Sequence, residues 1–275
     1  MGERAHARPI WAERRANKDS SRASPLAVHD FAVLGFMTSG HAVVEQRERF
    51  ALRAGDVLLV PAGEAHRWVS SKNAVFWGVG FCGACYAPSE LATLLDPFER
   101  ARAGSSAVIH IPSERQDHLA SLCATLLEET TVAGPQRAHT ELVARSLLAL
   151  ILAEVARAAH TTPSTGVQTS MVGDALRFIE RNCLRPLSLG DVSAAVNKSP
   201  SYVTTALKRA TGKSAVEWII AGRLSEARNR LLHTDEFVDV IAERVGYADA
   251  THFIRLFRRA HGVTPAAWRA ARRRP

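Results

Sequence analysis

Three stretches of this 275-residue sequence carry side chains whose type and spacing can do chemistry. The first is Gly55-Asp-Val-Leu-Leu-Val-Pro-Ala-Gly-Glu-Ala-His66. Gly55-Asp56 supplies a turn, residues 57–60 a buried strand and Pro61-x-Gly63 a second tight turn, so His66 opens a returning strand at the mouth of a barrel. An imidazole there can take a metal, an organic ligand or a strand-end carbonyl. A metal needs three or four ligands, and His41 is followed by Ala42-Val43 with no histidine partner. The expectation is a pocket for a small organic molecule, with His41, Glu45, His66 and Trp68 as its candidate residues and with no metal or cofactor. The second stretch is Cys82-Gly-Ala-Cys85. Such a pair binds zinc together with a second pair, or cycles as a dithiol. Cys123 and Cys183 are isolated, so the pair reads as two small residues beside a loop, with a redox role as the alternative.

The third stretch is written twice, fifty residues apart. Residues 199–212 moved by fifty fall on 249–262, matching Val203 with Phe253, Ala206 with Leu256, Leu207 with Phe257, the basic pairs and the closing glycines, and Trp218 then meets Trp268. A fixed period of this length marks a duplicated supersecondary unit. In the first copy Ser188-x-x-Asp191 starts a short helix, Asn197-Lys198 turns the chain, and Ser199-Pro200 caps a helix that Gly212 stops. That helix is expected to bury Val203, Ala206, Leu207 and Ala210 and to show Ser201, Tyr202, Thr204, Thr205 and Lys208. In the second copy a helix over 238–245 and a turn at Gly246-Tyr247 precede one over 250–261, capped by Asp249. Phe253, Leu256, Phe257 and Ala260 go inward there, while Thr251, His252, Arg255, Arg258 and Arg259 face out. Two short helices joined by a tight turn, the second carrying small polar and basic residues outward, make a helix-turn-helix. Between the copies a helix over 214–233 keeps Val216, Ile219, Ile220, Leu224, Ala227 and Leu231 on one side. At 1.5 Å per residue it is roughly 30 Å long. That approaches the ~34 Å between successive major-groove faces of B-DNA, so one chain can hold two recognition helices in adjacent grooves.

The remaining elements must position these groups. Length and an apolar content of 47% describe a globular protein of two domains. Residues 1–170 carry 17 basic against 17 acidic side chains and residues 171–275 carry 18 against 10, so the whole excess of +8 lies in the duplicated part. A basic excess confined to one domain is the footprint of a polyanion partner. No apolar run is long enough for a membrane span and there is no signal-peptide core, so a cytoplasmic setting is expected. Residues 1–25, rich in Arg, Ala and Ser, read as a disordered tail. Residues 26–112 read as a barrel of short strands at 31–36, 42–45, 49–52, 56–60, 68–69 and 74–77. Two helices follow over 113–160, broken at Gly134-Pro135. The second carries an apolar stripe through Leu142, Val143, Leu147, Leu150, Ile151 and Val155 that must be covered by the barrel or by a second chain. Residues 161–171 are the linker, and 172–275 the DNA-binding domain, led in by a helix with Ala175, Phe178 and Ile179 apolar. The fold class is α+β: an N-terminal β-barrel with two helices, then an all-α double helix-turn-helix.

The Gly55–His66 stretch resembles the second sequence motif of cupins, jelly-roll barrels whose interior holds a metal or a small ligand. The earlier His-x-His followed by Glu of metal-bearing cupins is missing. Residues 172–270 closely resemble the DNA-binding domain of AraC/XylS-type transcriptional regulators, through Leu189 and Val192, Ser199, Tyr202-Val203, Gly212, Arg223-Leu224 with Ala227 and Leu231-Leu232, Ile241-Ala242, Val245-Gly246-Tyr247, Phe253, Phe257, Gly262, Thr264-Pro265 and Trp268-Arg269. The barrel-helix-helix part resembles the effector-binding and dimerisation domain of the same regulators. The resemblance implies base contacts from Ser201, Thr204 and Thr205 in the first unit and from Ala250, Thr251, His252 and Arg255 in the second. The chain departs from the family at Thr205 and Leu207, where a basic residue and an aromatic are common; the second copy keeps both as Arg255 and Phe257. Lys198, Lys208, Arg209, Arg258, Arg259 and the Arg272-Arg273-Arg274 tail are the candidate phosphate contacts. The expected partners are double-stranded DNA, a small-molecule effector, a second copy of the chain and RNA polymerase. The function this implies is a sequence-specific transcription regulator, not an enzyme. The alternatives are a regulator whose barrel serves only dimerisation or partner binding, and a metal-dependent cupin enzyme.

Overall fold

The structure, a computed structural model, describes residues 10–17, 19–82, 90–103, 105–131, 139–160 and 171–273. Its N-terminal half is a six-stranded antiparallel sheet in the order β1-β5-β2-β4-β6, with β3 pairing β2. The strands are β1 (Ile10–Ala16), β2 (Ala32–Glu45), β3 (Arg49–Arg53), β4 (Asp56–Val60), β5 (Arg67–Phe81) and β6 (Val108–His110). The path has two free ends, so hydrogen bonding wraps a barrel-like sheet without closing it.

The short strands expected over 31–45 and 68–77 are in fact two long ones, β2 and β5. Gly40 and Asn73 both take positive φ, +74° and +49°. They sit face to face, and a Cβ on Gly40 would lie 2.1 Å from the Asn73 carbonyl oxygen. Both strands therefore kink at one level, and the ladder continues through register shifts at Met37/Ser39, Ser39/His41 and Val43/Val44. Residues that punctuate a sequence as turns are absorbed here as bulges. A second correction concerns the N-terminus: residues 10–16, expected within a disordered tail, form β1 and pair with Val75–Phe81 of β5. Its alternation sends Ile10 and Ala12 into the core beneath the helices and Trp11, Glu13 and Arg15 to the opposite face.

Helix α1 (Asp96–Arg102) follows a 3-10 turn at Glu90–Leu95, and α2 (Ser113–Thr131) and α3 (Thr140–His160) pack on the outer face of the sheet. Leu119, Leu122 and Leu126 of α2 meet Leu148, Ile151, Leu152 and Val155 of α3 in one core with Leu34, Leu59 and Val79. Glu154 fixes the helix pair by accepting from Arg115 at 3.0 and 2.6 Å and from Arg157. The stripe buried on α3 runs through Ala144, Leu148, Ile151 and Val155, rotated from the expected one: Leu142, Val143 and Leu150 remain exposed. The Gly134-Pro135 break and the linker over 161–170 lie outside the described residues.

The C-terminal half is helical: α4 (Met171–Asn182), α5 (Leu189–Ala195), α6 (Pro200–Thr211), α7 (Ala215–His233), α8 (Val238–Arg244), α9 (Ala250–His261) and α10 (Pro265–Arg273). It has two cores. One gathers Ala175, Ile179, Val192, Val203, Leu207 and Trp218; the other gathers Leu224, Leu231, Ile241, Phe253, Phe257 and Trp268. Ala210 and Ala260, expected inward, are exposed at matching places in the last turns of α6 and α9, beyond the reach of either core, and Val216 is exposed because Ala215 and Trp218 take the buried face at the start of α7. Among the described residues no helix is long and apolar enough to cross a membrane.

Candidate nucleic-acid interface and effector cavity

Local chemistry builds the two helix-turn-helix units alike. Ser199 Oγ accepts from the Tyr202 N–H at 3.3 Å to start α6, and the Asp249 carboxylate accepts from the Thr251 N–H at 2.8 Å to start α9. The capping boxes Ser188/Asp191 and Ser214/Glu217 start α5 and α7. The turns inside the units use Asn197 and Gly246, and α6 and α9 both stop at left-handed glycines, Gly212 and Gly262. With Val203, Leu207, Phe253 and Phe257 buried, the opposite faces emerge in solvent. Ser201, Thr205, Thr251, His252 and Arg255 are exposed, and Thr204 and Ala250 half-buried. Lys198, Lys208, Arg209, Arg258 and Arg259 are exposed around them, whereas Arg274 lies outside the described residues. Basic groups behind these faces are instead engaged: Arg230 with Glu226 and Glu236, Arg244 with Glu236, and Arg269 on the Leu231 and Glu236 carbonyls. Arg223 ties the units together, donating to the Cys183 and Arg185 carbonyls at 2.7 and 2.9 Å while its guanidinium lies 5.0 Å from the Tyr247 ring centre.

The two halves meet along a packed seam that the sequence did not announce. Ala62 and Cys82 of the barrel belong to the core of the first helix-turn-helix unit. Gly63, the glycine of the second turn around β4, has φ +82°, and a Cβ on it would lie 2.7 Å from Leu176 and 3.1 Å from Trp218. Beside it Arg102, 3% exposed, donates to both Glu180 oxygens at 2.8 and 3.0 Å, to the Ala62 carbonyl and to Glu99. Glu99 also pairs with Arg177 at 2.6 Å. Burial works against the charge on Arg102, but the Glu180 and Glu99 carboxylates outweigh it and hold its pKa above the ordinary value; burial pushes the Glu99 carboxyl up. Cys82 at this seam is disulfide-bonded, a correction to its reading as a small residue beside a loop, and Cys85 lies outside the described residues. Cys123 and Cys183 are buried thiols whose pKa burial pushes up to about 12, so neither is a nucleophile at neutral pH.

On the face of the sheet away from α2 and α3 lies a cavity of about 580 Å³. His66 and Trp68 line it, together with Trp11, Met37, Phe76 and His29, none of which motif reasoning singled out. His66 is buried, its Nδ1 is 3.3 Å from the Glu64 carbonyl, and burial pushes its pKa down, so the ring is neutral. A carbonyl only accepts, which puts the proton on Nδ1 and leaves Nε2 as an acceptor. His41 and Glu45 are placed elsewhere. Beyond the kink His41 stands in register with Arg53 and Lys72 over a second depression. Glu45 accepts from Arg49 at 3.1 Å and Arg67 at 2.7 Å, which hold its carboxyl below the usual range. Among the described residues no three His, Cys, Asp or Glu side chains gather as a metal site.

Comparison with known proteins matches residues 13–152 to the family described as AraC-like ligand binding domain and residues 192–271 to a helix-turn-helix domain. The chain is 27% identical over 256 residues to the arabinose operon regulatory protein of Salmonella typhimurium, covering 90% of this chain and 85% of that one. It is 32% identical over 109 residues to the regulatory protein PocR of the same organism, covering 40% of this chain and 36% of that protein. Among solved structures it is similar to the AraC-like transcriptional activator CuxR, at 16% identity and a TM-score of 0.47 over 82% of this chain and 79% of that one.

Arg255 and Lys208 are both exposed on these helices, the first expected at bases and the second at phosphates. Arg255 is the one candidate base reader able to grip guanine bidentately, so Arg255→Ala is expected to cost about 1–3 kcal/mol on the cognate site and to relax a single base position. Lys208→Ala is expected to weaken all sequences alike and to flatten the salt dependence by about one ion. Titrations of both variants on cognate and random duplexes at several salt concentrations check this, and equal losses on the two DNAs for Arg255→Ala would remove it from base reading.

Proposed function

Because the chain belongs to the AraC family of transcriptional regulators, with a ligand-binding domain ahead of a helix-turn-helix domain, we propose that it binds operator DNA through α6 and α9 together, under control of a small molecule in the sheet cavity. The observation that carries this is the pair of exposed polar and basic faces held by one intervening helix, each on its own core. The base-reading residues are Ser201, Thr204, Thr205, Ala250, Thr251, His252 and Arg255. Lys198, Lys208, Arg209, Arg258 and Arg259 serve the phosphates. The role is binding rather than catalysis. Hydroxyl-radical footprinting of the full chain on duplexes selected from a random pool is the direct test. Two protected patches about one helical turn apart per bound chain are expected, and a single patch refutes joint binding.

The seam supplies the route from cavity to DNA. Val28 lines the cavity and also packs on the Trp218 core, and the His29 carbonyl accepts from the Gly63 N–H at 2.8 Å. A ligand acts at a distance only through a difference in affinity for two states, and the docked seam is one of the two. Removing one partner of a buried pair costs about 3–5 kcal/mol, so Arg102→Ala frees the docking. The ligand-free variant is expected to change operator affinity at least fivefold, the low end of coupling between sites. Arg49→Ala, remote from the seam, is the control; an unchanged affinity in Arg102→Ala refutes coupling through this contact.

We assign dimerisation to the exposed face of α3, where Leu142 and Leu150 are 66% and 50% exposed with Val143 beside them. Two apolar side chains a little over two turns apart on one helix face mark a surface that gains by being covered. Leu142→Glu/Leu150→Glu is expected to sediment as a monomer where the native chain is a dimer; an unaltered mass distribution removes the face from the interface.

A further inference from the structure

The inner face of the sheet is arranged in three cross-strand rows, because directly paired residues share a face. Trp11, Gly80, Val33 and Val60 form the first row; Glu13, Gly78, Gly35 and Leu58 the second; Arg15, Phe76 and Met37 the third. The middle row has no side chain at its two central positions. A Cβ on Gly80 would lie 2.1 Å from the Trp11 indole, so that ring lies flat against the strand and closes one flank. Phe76 closes the other, with Trp68 at 4.8 Å between ring centres. The result is a trough floored by Gly35 and Gly78, walled by aromatic and aliphatic side chains and ending at the Glu13 carboxylate, whose Oε1 stands 3.3 Å from where a Gly78 Cβ would be.

Resting on the reading that this cavity holds the effector, we infer that the ligand is a planar aromatic ring bearing an O–H or N–H donor directed at Glu13. Flat backbone opposite aromatic walls admits the thickness of a ring and stacks on its faces. Asn17 and His29 also line the cavity, and of its other polar groups several are engaged: one terminal nitrogen of Arg67 with Glu45 (its Nε stays buried without a hydrogen-bond partner), Ser24 Oγ with the Trp68 N–H and the Pro25 carbonyl, and Arg15 with Glu13 at 2.7 Å. Glu13, paired among the described residues with Arg15, and His66 Nε2 both accept, which selects a donor on the ligand. A saturated polyol would leave most of its hydroxyls against apolar walls, each costing about 1–3 kcal/mol. The volume of about 580 Å³ accommodates a fused two-ring system with substituents.

The test uses the full chain and three probes: 2-naphthol, its donor-capped analogue 2-methoxynaphthalene, and myo-inositol. Affinities are read by tryptophan fluorescence and by shift of Tm. We expect 2-naphthol to bind at least tenfold more tightly than either of the others. A Cβ at Gly35 meets nothing nearer than Leu58 Cβ at 3.9 Å, so Gly35→Val fits the backbone and fills the trough. It is expected to weaken 2-naphthol at least tenfold with unchanged circular dichroism. Should it misfold, Glu13→Gln leaves the floor intact, and it is expected to weaken 2-naphthol about tenfold while leaving 2-methoxynaphthalene unaffected. Equal binding of the capped probe, tighter binding of myo-inositol, or binding of no probe overturns the ring-and-donor class. If myo-inositol binds and Gly35→Val abolishes it, the cavity remains the effector site while the class fails. If 2-naphthol binds equally to wild type and to folded Gly35→Val, the cavity reading itself fails.

Discussion

The β2–β5 ladder is the constraint on which the rest of the structure depends. Every other feature of the N-terminal half is hung on it: β1 on the free edge of β5, β3 and β4 on β2, and α2 and α3 on the face carrying Leu34, Phe36, Trp77 and Val79. A straight ladder of this length would give a flat sheet with one covered face and one in water. The paired kink at Gly40 and Asn73 turns it over. The halves beyond the kink return Trp68, and through β3 Leu52, to the cavity that the near halves floor. Positive φ at both kink positions is what makes the bend possible without losing the pairing, since glycine and asparagine pay least for that conformation.

The ladder also decides where the two halves touch. Its β5 end delivers Cys82 to the seam, and the turn after β4 delivers Ala62 and Gly63, while Val28 and His29 connect that seam to the cavity wall. A buried arginine at such a contact is a specificity device more than a source of stability: desolvation offsets most of the attraction between Arg102 and its carboxylates, while the forked geometry to Glu180 admits one docking arrangement. Apolar packing of Leu176 and the Trp218 ring on Gly63 has no such directional demand. The surface pair Lys213–Asp30 at 3.6 Å adds little, being solvated on both sides.

How much was legible follows from how local each signal is. The helix-turn-helix half was read almost residue by residue, because caps such as Ser199 and Asp249, stops such as Gly212 and Gly262, and a 3.6-residue apolar period are all written within a dozen positions. The sheet was not. β1 lies in a stretch rich in Arg, Ala and Ser that reads as a tail; its place is set by the glycines of a strand more than sixty residues later, over which Trp11 and Glu13 lie. Trp68 and His41 both lie beyond the kink, yet Trp68 lines the cavity with His66 and His41 stands over the second depression, a separation set by tertiary placement and not by spacing. The rotated stripe on α3 has the same origin. Leu142, Leu150 and Ile151 are equally apolar in sequence, and only the position of α2 chooses which of them is buried.

The inequality of the two recognition helices gains a physical sense from the cores behind them. The core under α6 includes barrel residues, whereas the core under α9 is built wholly from the C-terminal half. Anything that alters the docking of Gly63 on Leu176 and Trp218 therefore reaches α6 first, through packing it shares. That helix offers DNA hydroxyls, which make single hydrogen bonds tolerant of a shifted register; α9 offers Arg255, whose forked geometry is not tolerant. Arg223, gripping the Cys183 and Arg185 carbonyls and covering Tyr247, bridges the first unit and the turn of the second. On the proposed reading, the most demanding base contact lies on the unit whose core holds no barrel residue, and the forgiving contacts lie on the unit that shares its core with the barrel.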